Sequence, residues 1–191
     1  MAPNVHRALF LDRDGTLNEE VGFLSDPHKL LFTPAAPRVI QEAKRNGLLV
    51  IVVSNQSGVA RGLFSETTVH EINLHIQKML ETEGTSIDAF YFCPHYPGGS
   101  VEVYQRESPG RKPSDGMLRQ ASREWNIDLS RSFMVGDRVG DIEAGKRAGC
   151  KTFHVLTGYG RNDRQTCIDS RKMDYGVQDL SGAWDIIRSL L

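Results

Sequence analysis

Cysteine is scarce in this chain, and what there is does not pair. Cys93, Cys150 and Cys167 are odd in number and far apart. That excludes a disulfide framework and makes a reducing cytoplasm the expected setting. An excess of either charge is also missing: 23 basic residues meet 24 acidic ones, for a formal net charge of −1. Such a balance argues against a general nucleic-acid or membrane-surface binder. No apolar run is long enough to cross a bilayer as a helix, and Met1–Arg7 carries no secretory pattern. Internal repeats and low-complexity tracts are absent as well. The remaining reading of 191 residues is one domain, residues 1–191, with a sizeable core.

What is present is a rhythm of apolar strands and helical patterns. Val5–Leu11, Leu48–Val53, Ala89–Cys93, Phe133–Val135, Thr152–Leu156 and Tyr175–Val177 read as strands. Between them, Pro34–Asn46 reads as a helix closed by Gly47. Ser65 caps a long helix in which Val69, Ile72, Ile76, Met79 and Leu80 fall at helical spacing. Ser114 is expected to cap a helix carrying Met117, Leu118, Ala121 and Trp125. Asp141–Ala148 and Leu180–Leu191 complete the set. The alternation predicts an α/β fold: a mainly parallel, Rossmann-like sheet covered by helices on both faces. Trp125 and Trp184 are expected in the core, Cys150 and Cys167 as small apolar fillers, and His70 and His75 toward solvent.

The chemistry sits where the strands end. Leu9-Phe10-Leu11 runs into Asp12-Arg13-Asp14-Gly15-Thr16. Two like charges ~4 Å apart repel by roughly 4 kcal/mol at an effective dielectric of ~20. A divalent cation or a shared proton would offset that. Ser54 and Asn55 follow the second strand; Gly136, Asp137 and then Asp141 follow the fourth. Arg111 and Lys112 precede Pro113 and a helix start. Acids, a hydroxyl, an amide and a lysine delivered to one sheet edge suit a Mg²⁺-assisted phosphate site. A carboxylate in such a site can attack phosphorus and form an aspartyl-phosphate.

These four segments resemble the four motifs of the haloacid dehalogenase (HAD) superfamily, in order: Asp12–Thr16 (DxDGT), Ser54-Asn55, Lys112, and Gly136-Asp137 with Asp141. The runs FLDRDGTLN, VVSNQSGVARG, YFCPHYPGGSVE, RKPSDGML and MVGDRVGDIEAG resemble more narrowly the heptose-bisphosphate phosphatases, with the histidinol-phosphate phosphatases as close relatives. The resemblance covers roughly Ala8–Gly158 and implies a Mg²⁺-dependent phosphatase that removes the 7-phosphate of D-glycero-D-manno-heptose 1,7-bisphosphate. It implies Asp12 as nucleophile and Asp14 as acid, then base. Asp12, the Asp14 main-chain carbonyl and Asp137 would hold the metal. Ser54 and Lys112 would bind the phosphoryl group, and Asn55 and Arg111 would place substrate. Asp141 would support either Lys112 or the metal. A small phosphorylated sugar is the only partner implied, and the chain is read as a monomer.

One departure concerns zinc. The resembling family often carries a loop with Cys-x-His and then Cys-x-Cys before the Arg-Lys pair. Here Cys93 and His95 stand in the first half, but Ser108-Pro109-Gly110 replaces the second. Structural zinc takes four good ligands, so no zinc is expected. The spacing also leaves no room for a separate cap domain. Phe23–His28 and Pro94–Arg111 are therefore expected to be the only walls of an open site and to set specificity. A phosphatase for histidinol phosphate or another small sugar phosphate is the enzymatic alternative. A phospho-accepting regulatory module also gathers acids and a lysine at strand ends. Asp14 speaks against it, because turnover needs a second carboxyl group for proton transfer.

Overall fold

The computed structural model describes residues 5–191, so Met1–Asn4, part of the segment lacking a secretory pattern, lies outside the described residues. Within them a six-stranded, all-parallel sheet forms from β1 (Arg7–Leu11), β2 (Leu48–Asn55), β3 (Ala89–Cys93), β4 (Phe133–Gly136), β5 (Lys151–Val155) and β6 (Tyr175–Val177). The spatial order is β3-β2-β1-β4-β5-β6. Helices α1 (Ala36–Arg45), α2 (Ser57–Ala60), α3 (Glu66–Thr82), α4 (Gly116–Trp125), α5 (Val139–Ala148), α6 (Gly160–Ser170) and α7 (Leu180–Ser189) connect the strands. No described helix is long and apolar enough to cross a membrane.

The central strands are apolar on both sides because both sides are covered. Leu9 and Leu11 of β1 join Val39 and Ile40 of α1, Ile72, Ile76 and Leu80 of α3, and Trp184 and Ile187 of α7 in one core. Ala8 and Phe10 face the other way, into a core with Met117, Leu118 and Ala121 of α4 and Ala144 and Ala148 of α5. A strand buried on two faces cannot show polar alternation. In register, Leu11, the last residue of β1, lies opposite Val52 of β2 and Val135 of β4, and β2 runs on through Ser54 and Asn55. β2 and β3 extend to one side of β1 and β4 to β6 to the other, which makes the carboxyl end of β1 the point where the winding reverses. Ligands of open α/β sheets bind at that crevice.

Several details differ from the sequence reading. Ser54 and Asn55 lie within β2 rather than after it, and the short α2 was not expected. α6 has no counterpart in that reading, because GRNDRQTCIDS is almost wholly polar and buries only Gly160 and Cys167. Trp125 is exposed at the end of α4, where its indole N–H donates to the Tyr91 hydroxyl at 3.2 Å; Trp184 is fully buried as expected. The residue at the N-cap of α4 is Asp115 rather than Ser114. His75 is half-buried, edge-on to His28 at 5.7 Å between ring centres, while His70 is exposed. The Ser65 cap is present, its hydroxyl accepting from the Thr68 N–H at 3.2 Å.

Candidate active site

Asp12 directly follows β1, and its N–H donates to the Val135 carbonyl at 2.9 Å, which ties the first acidic turn to β4. Lys112 reaches the same point from the segment before α4. Its ammonium donates to Asp12 Oδ1 (2.6 Å) and the Val53 carbonyl (2.7 Å), and pairs with Asp141 Oδ1 (2.6 Å). Three acceptors match the three ammonium protons. Burial opposes the Lys112 charge, yet the Asp12 and Asp141 carboxylates outweigh it and hold its pKa above the ordinary lysine range. The other Asp141 oxygen accepts from the Arg138 N–H at 2.9 Å at the start of α5. Of the two supports the sequence left open for Asp141, the one visible here is to Lys112.

Asp137 is completely buried behind Asp12. Its Oδ2 accepts from the Tyr159 N–H at 2.7 Å, while its Oδ1 has no hydrogen-bond partner. Two glycines make room for it. At Gly15 (φ +86°) and Gly158 (φ +51°) an added Cβ would lie 2.4 and 2.3 Å from Asp137 Oδ2. Either backbone conformation also disfavours a side chain. The Asp137 carbonyl accepts from His154 Nε2 at 3.0 Å. A carbonyl can only accept, so that imidazole nitrogen carries the proton.

Asp12, Asp137 and Asp141 each offer one carboxylate oxygen, all within 4.8 Å of one another. Burial, opposed by Lys112 and reinforced by Asp141, pushes the Asp12 pKa up to about 7. Burial and then the Asp12 and Asp141 charges push Asp137 up to about 9. Buried acids that repel one another, with a buried oxygen atom left unpaired, are what a hard divalent cation would satisfy. The donor set is all oxygen, as Mg²⁺ requires.

Asp14 is bound differently. Its carboxylate accepts from Arg13 Nε and Nη2 (3.1 and 3.0 Å to Oδ2), Gln56 Nε2 (2.9 Å) and Asn18 Nδ2 (3.1 Å). Burial would raise its pKa, but the Arg13 charge and these hydrogen bonds prevail and lower it.

Asp12, Asp14, Ser54, Asn55, Arg111, Lys112 and Asp141 are among the residues that line one cleft of 450 Å³, and the buried Asp137 lies outside that lining. Ser54 Oγ accepts from Gln56 Nε2 at 2.7 Å. Asn55, expected at the substrate, spends both ends of its amide on the Lys112 main chain (2.9 and 3.0 Å) and so braces that lysine. Arg111 donates to the His95 carbonyl at 3.1 Å and stands over the Tyr96 ring at 4.9 Å. Sequence reading missed Arg13, Asn18 and Gln56, whose only signal is adjacency to the acidic turn and the Ser-Asn pair. It also missed Arg61, 4.4 Å over Tyr96, and Arg138, 4.4 Å over Tyr159. The walls need correcting. Phe23, Leu24, Tyr96 and Arg111 come from the two expected loops, but α2 adds Ser57, Gly58 and, past its end, Arg61 and Phe64. Residues 138–141, Tyr159 and Asp163 close the far side, because the segments after β4 and β5 open on the same edge. Cys93 Sγ and His95 Nδ1 lie 3.9 Å apart beside this cleft.

Known proteins are similar to this chain in sequence and fold. A family model described as HAD-hydrolase-like matches residues 110–183. A D-glycero-beta-D-manno-heptose-1,7-bisphosphate 7-phosphatase of Pasteurella multocida (strain Pm70) is 43% identical over 153 residues, 80% of this chain and 83% of its own. A D-glycero-alpha-D-manno-heptose-1,7-bisphosphate 7-phosphatase of Burkholderia mallei (strain ATCC 23344) is 40% identical over 147 residues, 77% of this chain and 78% of its own. Among solved structures, the D,D-heptose 1,7-bisphosphate phosphatase from B. bronchiseptica complexed with magnesium and phosphate is similar at a TM-score of 0.86 and 29% identity, covering 97% of this chain and 99% of that one. Sheet, motif order and relatives agree: the chain belongs to the HAD-like hydrolases and is a phosphatase of that family.

Proposed function

We propose that this phosphatase works through an aspartyl-phosphate on Asp12, depends on Mg²⁺, and removes the 7-phosphate of D-glycero-D-manno-heptose 1,7-bisphosphate. The observation that carries the reading is the Asp12 carboxylate, held by Lys112 at 2.6 Å at the end of β1 beside the unpaired oxygen of Asp137. An Asp12 oxygen attacks phosphorus, the bond from phosphorus to the ester oxygen breaks, and that oxygen takes a proton from Asp14. Water then gives a proton to Asp14 while its oxygen attacks phosphorus, and the bond to Asp12 breaks with its electrons returning to the carboxylate. Arg13 favours ionised Asp14 at rest. A phosphoryl group entering beside it brings like charge, which raises the proton affinity of Asp14 as the first step requires. Lys112 neutralises Asp12 and the transferring group, and Ser54 and Arg111 contact the substrate. Asp12, Asp137 and the Asp14 carbonyl would hold Mg²⁺, which when bound supplies charge neutralisation at phosphorus.

The sugar comes from the named activities of relatives 43% and 40% identical to this chain, one named for the β- and one for the α-anomer. The arginines at the cleft suit a substrate with a second anionic group. Phosphate release from heptose bisphosphate, histidinol phosphate and other sugar phosphates, with and without Mg²⁺, tests the assignment. Faster turnover of histidinol phosphate would overturn the sugar, and turnover undiminished in Asp12→Asn would overturn the nucleophile. Metal analysis of the purified protein tests the expectation of no zinc at the Cys93–His95 loop.

A further inference from the structure

We propose that Arg13 and Asn73 form a clamp that aims the Asp14 carboxyl group at the leaving oxygen, so that both act as positioning residues for proton transfer. The inference rests on the reading of Asp14 as the general acid. Arg13 is 1% exposed and among the largest fully buried side chains. It does not line the cleft. Its charge therefore serves something other than substrate contact. Its Nε reaches both Asp14 oxygens, at 3.3 and 3.1 Å, and Nη2 reaches Oδ2 at 3.0 Å. The remaining arm, Nη1, donates to Asn73 Oδ1 at 3.4 Å.

Asn73 is 8% exposed and lies in the buried stripe of α3 with Val69, Ile72 and Ile76. A polar side chain on that face is costly unless it is hydrogen-bonded. Gln56 donates to Oδ2 and Asn18 to Oδ1, one hydrogen bond to each Asp14 oxygen. The planar guanidinium meets both oxygens and fixes the plane. Asn73 in turn keys the guanidinium to a 17-residue helix anchored in the core. The chain of contact runs from a rigid helix through a buried cation to the one carboxyl group that must meet the substrate's bridging oxygen.

In the first step that oxygen takes the Asp14 proton as its bond to phosphorus breaks. An alkoxide leaving group needs the proton, and p-nitrophenolate leaves without it. Mis-aiming Asp14 must therefore slow phosphoryl transfer to Asp12 from alkyl esters selectively, whereas the later attack of water is common to both esters and a general loosening of the fold slows transfer from both. In Arg13→Lys and Asn73→Ala, with Asp14→Asn alongside, the rate of phosphoenzyme formation in a single turnover is to be measured by rapid quench on heptose bisphosphate (or the best alkyl phosphate of the panel) and on p-nitrophenyl phosphate. The expected result is a loss of about 10-fold or more in that transfer rate on the alkyl ester with the half-saturating concentration within about twofold, and under about threefold loss on p-nitrophenyl phosphate; general acid catalysis spans roughly 10²–10⁴ in rate. Equal loss on both esters, or no loss on either, overturns the clamp if Asp14→Asn is itself selective. An unselective Asp14→Asn overturns the acid role and the clamp with it. If Arg13→Lys does not fold, as circular dichroism and a melting curve will tell, Asn73→Ala decides alone, since alanine suits a helix interior.

Discussion

Lys112 is the residue on which the others lean. Its ammonium is enclosed by three oxygens, from Asp12, Asp141 and Val53, and it is 4% exposed. A buried cation so paired is weak evidence of stability in itself, but removing one partner leaves uncompensated charge and costs about 3–5 kcal/mol. Lys112→Met should therefore abolish phosphate release and also lower stability by about that amount, read as a shift in the urea midpoint. Asp141→Asn is gentler, because the amide keeps its shape and one acceptor. It should lower kcat/KM by about 10- to 100-fold, the usual cost of losing a supporting partner. Unchanged activity in Asp141→Asn would mean that Asp12 alone suffices to hold the lysine.

At the scale of elements, the site exists because three neighbouring parallel strands run toward the same edge in register. Leu11, Val52 and Val135 are neighbours, so Asp12, Ser54 and Asp137 emerge together. That much was legible in the sequence, since apolar runs followed by polar groups survive any shift of helix boundaries. The supports were not legible. Asn55 bracing Lys112, and Arg13 reaching Asn73, join residues 57 and 60 positions apart, and no local pattern encodes such a meeting. α6 escaped because its role is polar: Asp163 accepts from Arg138 Nε and from the Val139 N–H, both at 3.1 Å, and so secures the start of α5. With two buried residues against five in α3, α6 should exchange its amides well before α3 in a native-state hydrogen-exchange experiment. Ser65→Ala, which removes the α3 cap and none of the hydrogen bonds to Asp14, should cost about 1 kcal/mol in stability. Its rates on alkyl and p-nitrophenyl esters should stay unchanged, in contrast to Asn73→Ala.

For the whole molecule, the acidic centre sets stability against function. Asp12 and Asp137 have pKa values near 7 and 9, against an ordinary value of 3.8. Between those limits the folded chain binds protons that the unfolded chain has released. Stability without metal therefore falls as pH rises above about 4, most steeply below about pH 7 where both folded groups still hold their protons, and levels off above about pH 9. A divalent cation reverses the sign of the local field, because it binds the ionised carboxylates and competes with their protons. The rise in Tm produced by a fixed Mg²⁺ concentration over EDTA should thus grow from pH 5.5 to pH 8.5. Asp137→Asn removes one of the repelling acids and keeps the Tyr159 N–H supplied with an oxygen. In EDTA at pH 8.5 it should melt above the wild type, and added Mg²⁺ should no longer raise its Tm. If instead the variant melts lower in EDTA and still responds fully to Mg²⁺, the buried oxygen of Asp137 is not a metal ligand, and the cation must sit elsewhere in the cleft.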